Sequence, residues 1–168
     1  MEFVLNVTDG YDLRGGIIND VLDTTQQWWV RITATGGLEF MFQDAEGQRA
    51  FATHGSGLND GLWHHIALTI DRLDDGNDNM TVTSYLDGEV FGSTTTTYVG
   101  NGVDVVGVGT RDIEIGTFGG RTDRQFDGMI DRIVISDELL APGSFVVPEP
   151  ATLILLGLGG VAFLHRRR

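Results

Sequence analysis

Hydrophobic and polar residues alternate with a period of two along most of this chain. Trp28, Val30 and Ile32 interleave with Trp29, Arg31 and Thr33; Leu38, Phe40 and Phe42 with Glu39, Met41 and Gln43; Ile66, Leu68 and Ile70 with Ala67, Thr69 and Asp71. Successive side chains of a strand point to opposite faces, so each run sets one group against a core and the other outward. Turn signals break the runs at Asp9-Gly10, Gly36-Gly37, Glu46-Gly47, Asn59-Asp60-Gly61, Asp87-Gly88, Gly119-Gly120 and Asp127-Gly128. β-Branched residues dominate from Thr81 to Val99. Only Ser136–Leu140 has room for a helical turn. Many short strands separated by Gly/Asp turns predict an all-β antiparallel sandwich or barrel.

The pattern changes in the last twenty-one residues. Pro148-Glu149-Pro150 is followed by an uncharged, leucine-rich run from Ala151 to Leu164, then His165 and Arg166-Arg167-Arg168. The prolines lack amide donors and keep the chain extended, so a helix starts no earlier than Pro150. A fourteen-residue helix is about 21 Å long, against the ~30 Å core of a bilayer, which makes it a short anchor. Arginines at its end form a positive stop that stays on the cytoplasmic side. This order of Pro-Glu-Pro, short apolar helix and basic end resembles the PEP-CTERM sorting signal of Gram-negative bacteria. The resemblance implies export, transient anchoring in the inner membrane, and cleavage near Pro-Glu-Pro by an exosortase-type protease. The expected organisation is a β-domain over 1–143, a linker over 144–147 around Pro142-Gly143-Ser144, and a sorting segment over 148–168 with its apolar helix at 151–164.

Charge narrows the partners. The whole chain carries −13, and its eleven basic residues are all arginine. An acidic surface of this kind repels phosphate backbones, which excludes nucleic-acid binding, and it suits a solvated exterior. Cysteine is absent, so neither disulfides nor a cysteine zinc site can support the domain. At the other end, Met1 is followed at once by Glu2-Phe3-Val4-Leu5, which reads as a strand rather than as a basic region and apolar run of a signal peptide. The two ends together predict that the chain is an N-terminally truncated piece of an exported protein.

Several segments in order resemble laminin-G-like domains. Gly61-Leu62-Trp63-His64-His65-Ile66-Ala67 is similar to their G-x-W-H-H-V-A strand, and Tyr85-Leu86-Asp87-Gly88 to their Y-V-D-G hairpin. Ile113-Glu114-Ile115-Gly116 and Phe126-Asp127-Gly128-Met129-Ile130-Asp131-Arg132-Ile133-Val134-Ile135 resemble the closing strands. The fold implied is the concanavalin-like jelly roll, two curved antiparallel sheets face to face, with Trp63 in the core. The family's opening F-D-G strand has no counterpart here.

Candidate chemistry is sparse. His64 and His65 are neighbours on a strand and point to opposite faces, so they do not chelate one ion together; one bonds inside and the other faces out. His54 lies across a hairpin from them, and two histidines without a third ligand make no zinc site. Asp74, Asp75, Asp78 and Asn79 offer oxygens of the sort calcium takes, as do Asp104, Asp112, Asp123 and Asp127, but their spacing matches no calcium loop. Calcium is therefore the one cofactor considered, and no metal ligand is assigned. Asp112-Ile113-Glu114 is the nearest approach to the E-x-D-x-E strand of laminarinase-like hydrolases, and it lacks the third acid. No nucleophile elbow, zincin helix or phosphate loop occurs, so no catalytic residue is assigned. Of the aromatics Trp28, Trp29, Trp63, Tyr85 and Tyr98, an outward tryptophan near Arg31 is the first place for a sugar platform.

These observations lead to an exported, non-catalytic module that binds carbohydrate or matrix at the cell surface or in extracellular polymer. A structural matrix protein without a specific ligand and a remnant of a secreted glycoside hydrolase are the alternatives, since fold alone does not fix function.

Overall fold

The alternating runs become ten strands. The computed structural model describes residues 1–9, 15–21, 27–43, 49–72, 79–97, 113–117 and 122–145. The strands are β1 (Glu2–Val7), β2 (Gly15–Val21), β3 (Gln27–Ile32), β4 (Leu38–Gln43), β5 (Arg49–His54), β6 (Trp63–Arg72), β7 (Asn79–Leu86), β8 (Glu89–Thr97), β9 (Glu114–Ile115) and β10 (Gly128–Val134). They form two five-stranded sheets, ordered β10-β1-β6-β7-β8 and β5-β4-β3-β2-β9, and every pairing is antiparallel. The expected all-β sandwich is what the chain forms. In place of the helical turn read at Ser136–Leu140, two short 3-10 turns occur, at Thr122–Arg124 and Pro142–Ser144.

Between the sheets lie Phe3, Leu5, Val30, Ile32, Phe40, Phe42, Ile66, Leu68 and Val82, all essentially without solvent contact. Each fully buried side chain of this size favours the fold by about 1.5–3 kcal/mol of transfer free energy. Register follows the hydrophobic pattern: Phe3 pairs with Ile66 and Val30 with Phe40, so one period-two set from every strand meets in one layer. The hairpin between β7 and β8 turns at Asp87 (φ 51°) and Gly88 (φ 91°). Two left-handed residues in sequence give the tight turn whose twist matches the flanking strands, and Asp-Gly is the pair that tolerates it.

The outer face of the first sheet is covered in part. After β10 the chain returns across that sheet, and Phe145 packs edge-on against Tyr85 at 5.0 Å between ring centres and against His65 at 6.0 Å. Phe145, Ala67 and Tyr85 make a second, smaller apolar cluster, with Leu140 against it. Ser144 is exposed and Phe145 is buried in this cluster; Val146 onward lies outside the described residues.

Candidate functional site

The outer face of the second sheet carries a set of polar and aromatic side chains in three cross-strand rows. The middle row runs Asn19, Trp29, Met41, Phe51 across β2, β3, β4 and β5. Arg31, Glu39 and Thr53 form the row on one side, and Gln27, Gln43 and Arg49 the row on the other. Directly opposed side chains in neighbouring strands lie close enough to interact, so the rows are contact ladders. The period-two pattern puts them there: Trp28, Val30 and Ile32 fill the core, which turns Trp29 and Arg31 outward.

The rows are held by their own bonds. The Arg31 guanidinium pairs with the Glu39 carboxylate and stacks over the Trp29 ring, 4.1 Å from its centre. Thr53 Oγ1 donates to the other oxygen of Glu39 at 3.2 Å, and Gln27 Nε2 donates to Gln43 Oε1 at 3.2 Å. Trp29 meets the edge of Phe51 at 5.9 Å between centres. Arg31 and Glu39 are both buried, so their charges compensate each other rather than facing water. Solvent reaches the surface along β5, where Arg49, Phe51 and Thr53 are exposed; Phe51 keeps 53% of its area open. An exposed ring beside planar amides, a hydroxyl and a fixed ion pair can stack on an apolar ring face and bond the hydroxyls around it.

Other expectations are met in part. Trp29 faces outward beside Arg31, but it is buried, because Arg31 covers its ring and Phe51 its edge; the exposed aromatic is Phe51. Trp63, expected in the core, is 48% exposed, since it is the first residue of β6 and pairs with Asn6 on the outer side. His64 and His65 do point to opposite faces. His65 Nε2 donates to Glu2 Oε2 at 3.0 Å on the outer face, with Nδ1 buried and unbonded. His64 bonds Asp87 through Nδ1 at 2.9 Å and Asp60 through Nε2 at 3.2 Å. Partial burial opposes its charge, yet those two carboxylates outweigh that and hold its pKa above the usual value. Burial opposes the charge of Asp60, but the Leu62 amide and His64 together outweigh it and hold its pKa below the usual value.

His54 is not beside the other histidines; it sits between the sheets, bonded to Ser84 and Thr94. Among the described residues no three His, Asp or Glu side chains are grouped to hold a metal. Asp123 and Asp127 are exposed; Asp74, Asp75, Asp78, Asp104, Asp112 and Tyr98 lie outside the described residues. So do Pro148, Glu149, Pro150, the apolar run 151–164 and Arg166, Arg167 and Arg168. Among the described residues no helix is long and apolar enough to cross a membrane.

Phe51 is the residue the sequence pattern conceals. It stands in Arg49-Ala50-Phe51-Ala52-Thr53, where the core-facing members are two alanines and the large apolar residue is the outward one.

A search of curated proteins gives no match. Among solved structures, the chain resembles the heptameric SAP-like pentraxin from Limulus polyphemus, with 15% identity and a TM-score of 0.50 over 84% of this chain and 65% of that one. It also resembles the CBM40 of the Ruminococcus gnavus IT-sialidase, bound to α2,6-sialyllactose, with 14% identity and a TM-score of 0.48 over 81% of this chain and 77% of that one. The chain thus spans just under two thirds of the pentraxin's length. The family model of the PEP-CTERM protein-sorting motif matches residues 146–168, and that of the concanavalin A-like lectin/glucanases superfamily matches residues 6–143. The chain therefore belongs to the concanavalin A-like lectin/glucanase superfamily and carries a PEP-CTERM sorting motif at its C-terminus.

Proposed function

We propose that this protein is an exported, non-catalytic carbohydrate-binding module, delivered to the Gram-negative cell envelope or extracellular matrix and processed there by an exosortase-type protease. The observation that carries the reading is the laddered outer face of the second sheet, with exposed Phe51 beside Trp29, Arg31, Glu39 and Thr53. The net charge of −13 disfavours polyanions, so the sugar class is neutral. Among the described residues, the carboxylates on this face also favour binding over hydrolysis. Glu39 on β4 and Glu114 on β9 are three strand spacings apart, roughly 14 Å. A glycosidase pair stands about 5–9.5 Å apart.

The test is a glycan array probed with the detergent-solubilised full chain, with calcium and again with chelator. Saturable binding to one class of neutral sugar supports the reading, and its loss on chelation would assign calcium a part in the site. A blank array from folded protein would turn the reading to a structural matrix role.

A further inference from the structure

The open part of the laddered face is a strip one strand wide. In each of the three rows the step from β4 to β5 passes from a buried to an exposed side chain: Gln43 to Arg49, Met41 to Phe51, Glu39 to Thr53. β5 is the end strand of its sheet, so no described strand flanks it on the other side. Its pairing with β4 runs from Arg49 to His54 without a register shift, which keeps the strip straight. Side chains on one face of a strand recur about every 7 Å, so the strip from Arg49 to Thr53 is about 14 Å long. The three groups offer different chemistry in a fixed order. Arg49 can only donate hydrogen bonds, and among the described residues no carboxylate pairs with it. Phe51 presents an apolar ring. Thr53 Oγ1 gives its one proton to Glu39, so toward solvent it only accepts.

We infer that the ligand is a linear, neutral, β-1,4-linked polysaccharide held lengthwise along β5, with Arg49 and Thr53 as its end contacts; the inference rests on the carbohydrate-binding reading of this face. A single sugar ring stacked on Phe51 covers the middle of the strip and leaves both ends unused. An extended chain reaches all three groups: one unit stacks on Phe51, an oxygen of the unit on one side accepts from Arg49, and a hydroxyl on the other side donates to Thr53. A chain laid across the sheet instead meets the buried side chains of β4 after one strand spacing, about 4.8 Å. The straight run of β5 suits a chain that is itself straight. The order donor, ring, acceptor also gives the bound chain one direction, because Thr53 takes only a hydroxyl hydrogen whereas Arg49 takes any oxygen lone pair.

The full chain in detergent is titrated calorimetrically with β-1,4-linked glucose, mannose and xylose, each from the monosaccharide to the hexasaccharide. In at least one series the affinity should rise about tenfold from monosaccharide to trisaccharide, as the two end hydrogen bonds form, and then level off. Arg49→Met and Thr53→Val should each remove most of that gain. Thr53→Ser, which keeps the hydroxyl, should retain it, as should Ser93→Ala, which removes an exposed hydroxyl on β8 of the other sheet. Binding that does not depend on length, or a gain that survives both Arg49→Met and Thr53→Val, would overturn the inference and leave the carbohydrate reading standing. No binding in any of the three series would overturn it too, and the glycan array then decides whether the carbohydrate reading falls with it.

Discussion

His54 Nδ1 lies 2.7 Å from Ser84 Oγ, a hydrogen bond that joins the two sheets through the core. Its Nε2 reaches Thr94 Oγ1 at 2.9 Å, and the ring stands edge-on to Phe40 at 5.0 Å. One imidazole on β5 thus meets hydroxyls on β7 and β8, where a purely apolar interface would allow the sheets to slide.

Stability should respond to acid through this ring. Burial pushes the His54 pKa below its usual 6.5. The unfolded chain takes up the proton near 6.5 and the folded chain does not, so this contribution is full above that pH and falls as pH drops below it. His64 has the opposite sign: its raised pKa contributes stability that is full below 6.5 and lost as pH rises through the raised value. Melting temperatures between pH 5 and 8.5 check both. His54→Gln should flatten the acid limb and leave the alkaline one; His64→Gln should do the reverse.

Gly92, on β8 of the first sheet, lies close against His54 of the second. A Cβ there would stand 2.5 Å from His54 Cγ and 2.7 Å from its Cβ. Gly92→Ala should therefore cost about 1–3 kcal/mol through overpacking. In urea unfolding, the same change on a His54→Ala background should cost measurably less, because the ring that clashes is gone. Equal costs on both backgrounds would place the strain elsewhere.

Strand alternation made the sandwich legible, since Trp28 in and Trp29 out follows from period two alone. Burial of the outward set was not legible. Glu2, Val4 and Asn6 alternate with Phe3, Leu5 and Val7, yet β1 is buried on both faces, because β1 is flanked by β6 and β10 and the chain returns to Phe145 over the neighbouring β6–β7 surface. Trp63 is exposed because the period-two register that turns Ile66 and Leu68 inward turns Trp63 to the outer side, at the end of β6. The site was half visible. Trp29 and Arg31 are outward neighbours in one strand, whereas Glu39, Thr53 and Phe51 join them only through the register of β3, β4 and β5.

Arg31 and Glu39 test how that face is built. Arg31→Met leaves a buried carboxylate uncompensated and should cost about 3–5 kcal/mol. Replacing both, Arg31→Met with Glu39→Met, removes both desolvation penalties and should be more stable than the single variant. Chemical denaturation of the four-member cycle measures this. A double variant no more stable than Arg31→Met would mean that the pair's surroundings, rather than its charges, set the cost.

Phe51 and Trp63 separate the proposed binding face from incidental exposure. Both are half-exposed aromatics, but Phe51 lies on the laddered face of the second sheet and Trp63 on the outer side of the first. Losing a stacking ring should weaken sugar binding about tenfold, which corresponds to roughly 1.4 kcal/mol. Phe51→Ala should do this while shifting stability little, since its main aromatic partner is Trp29, in a pair worth about 0.5–1.5 kcal/mol. Phe51→Trp should retain binding, because it keeps a flat ring at the same register position. Trp63→Ala should leave the affinity unchanged. Titration calorimetry with the sugar found on the array decides between them: if Trp63→Ala weakens binding and Phe51→Ala does not, the sugar binds the first sheet instead.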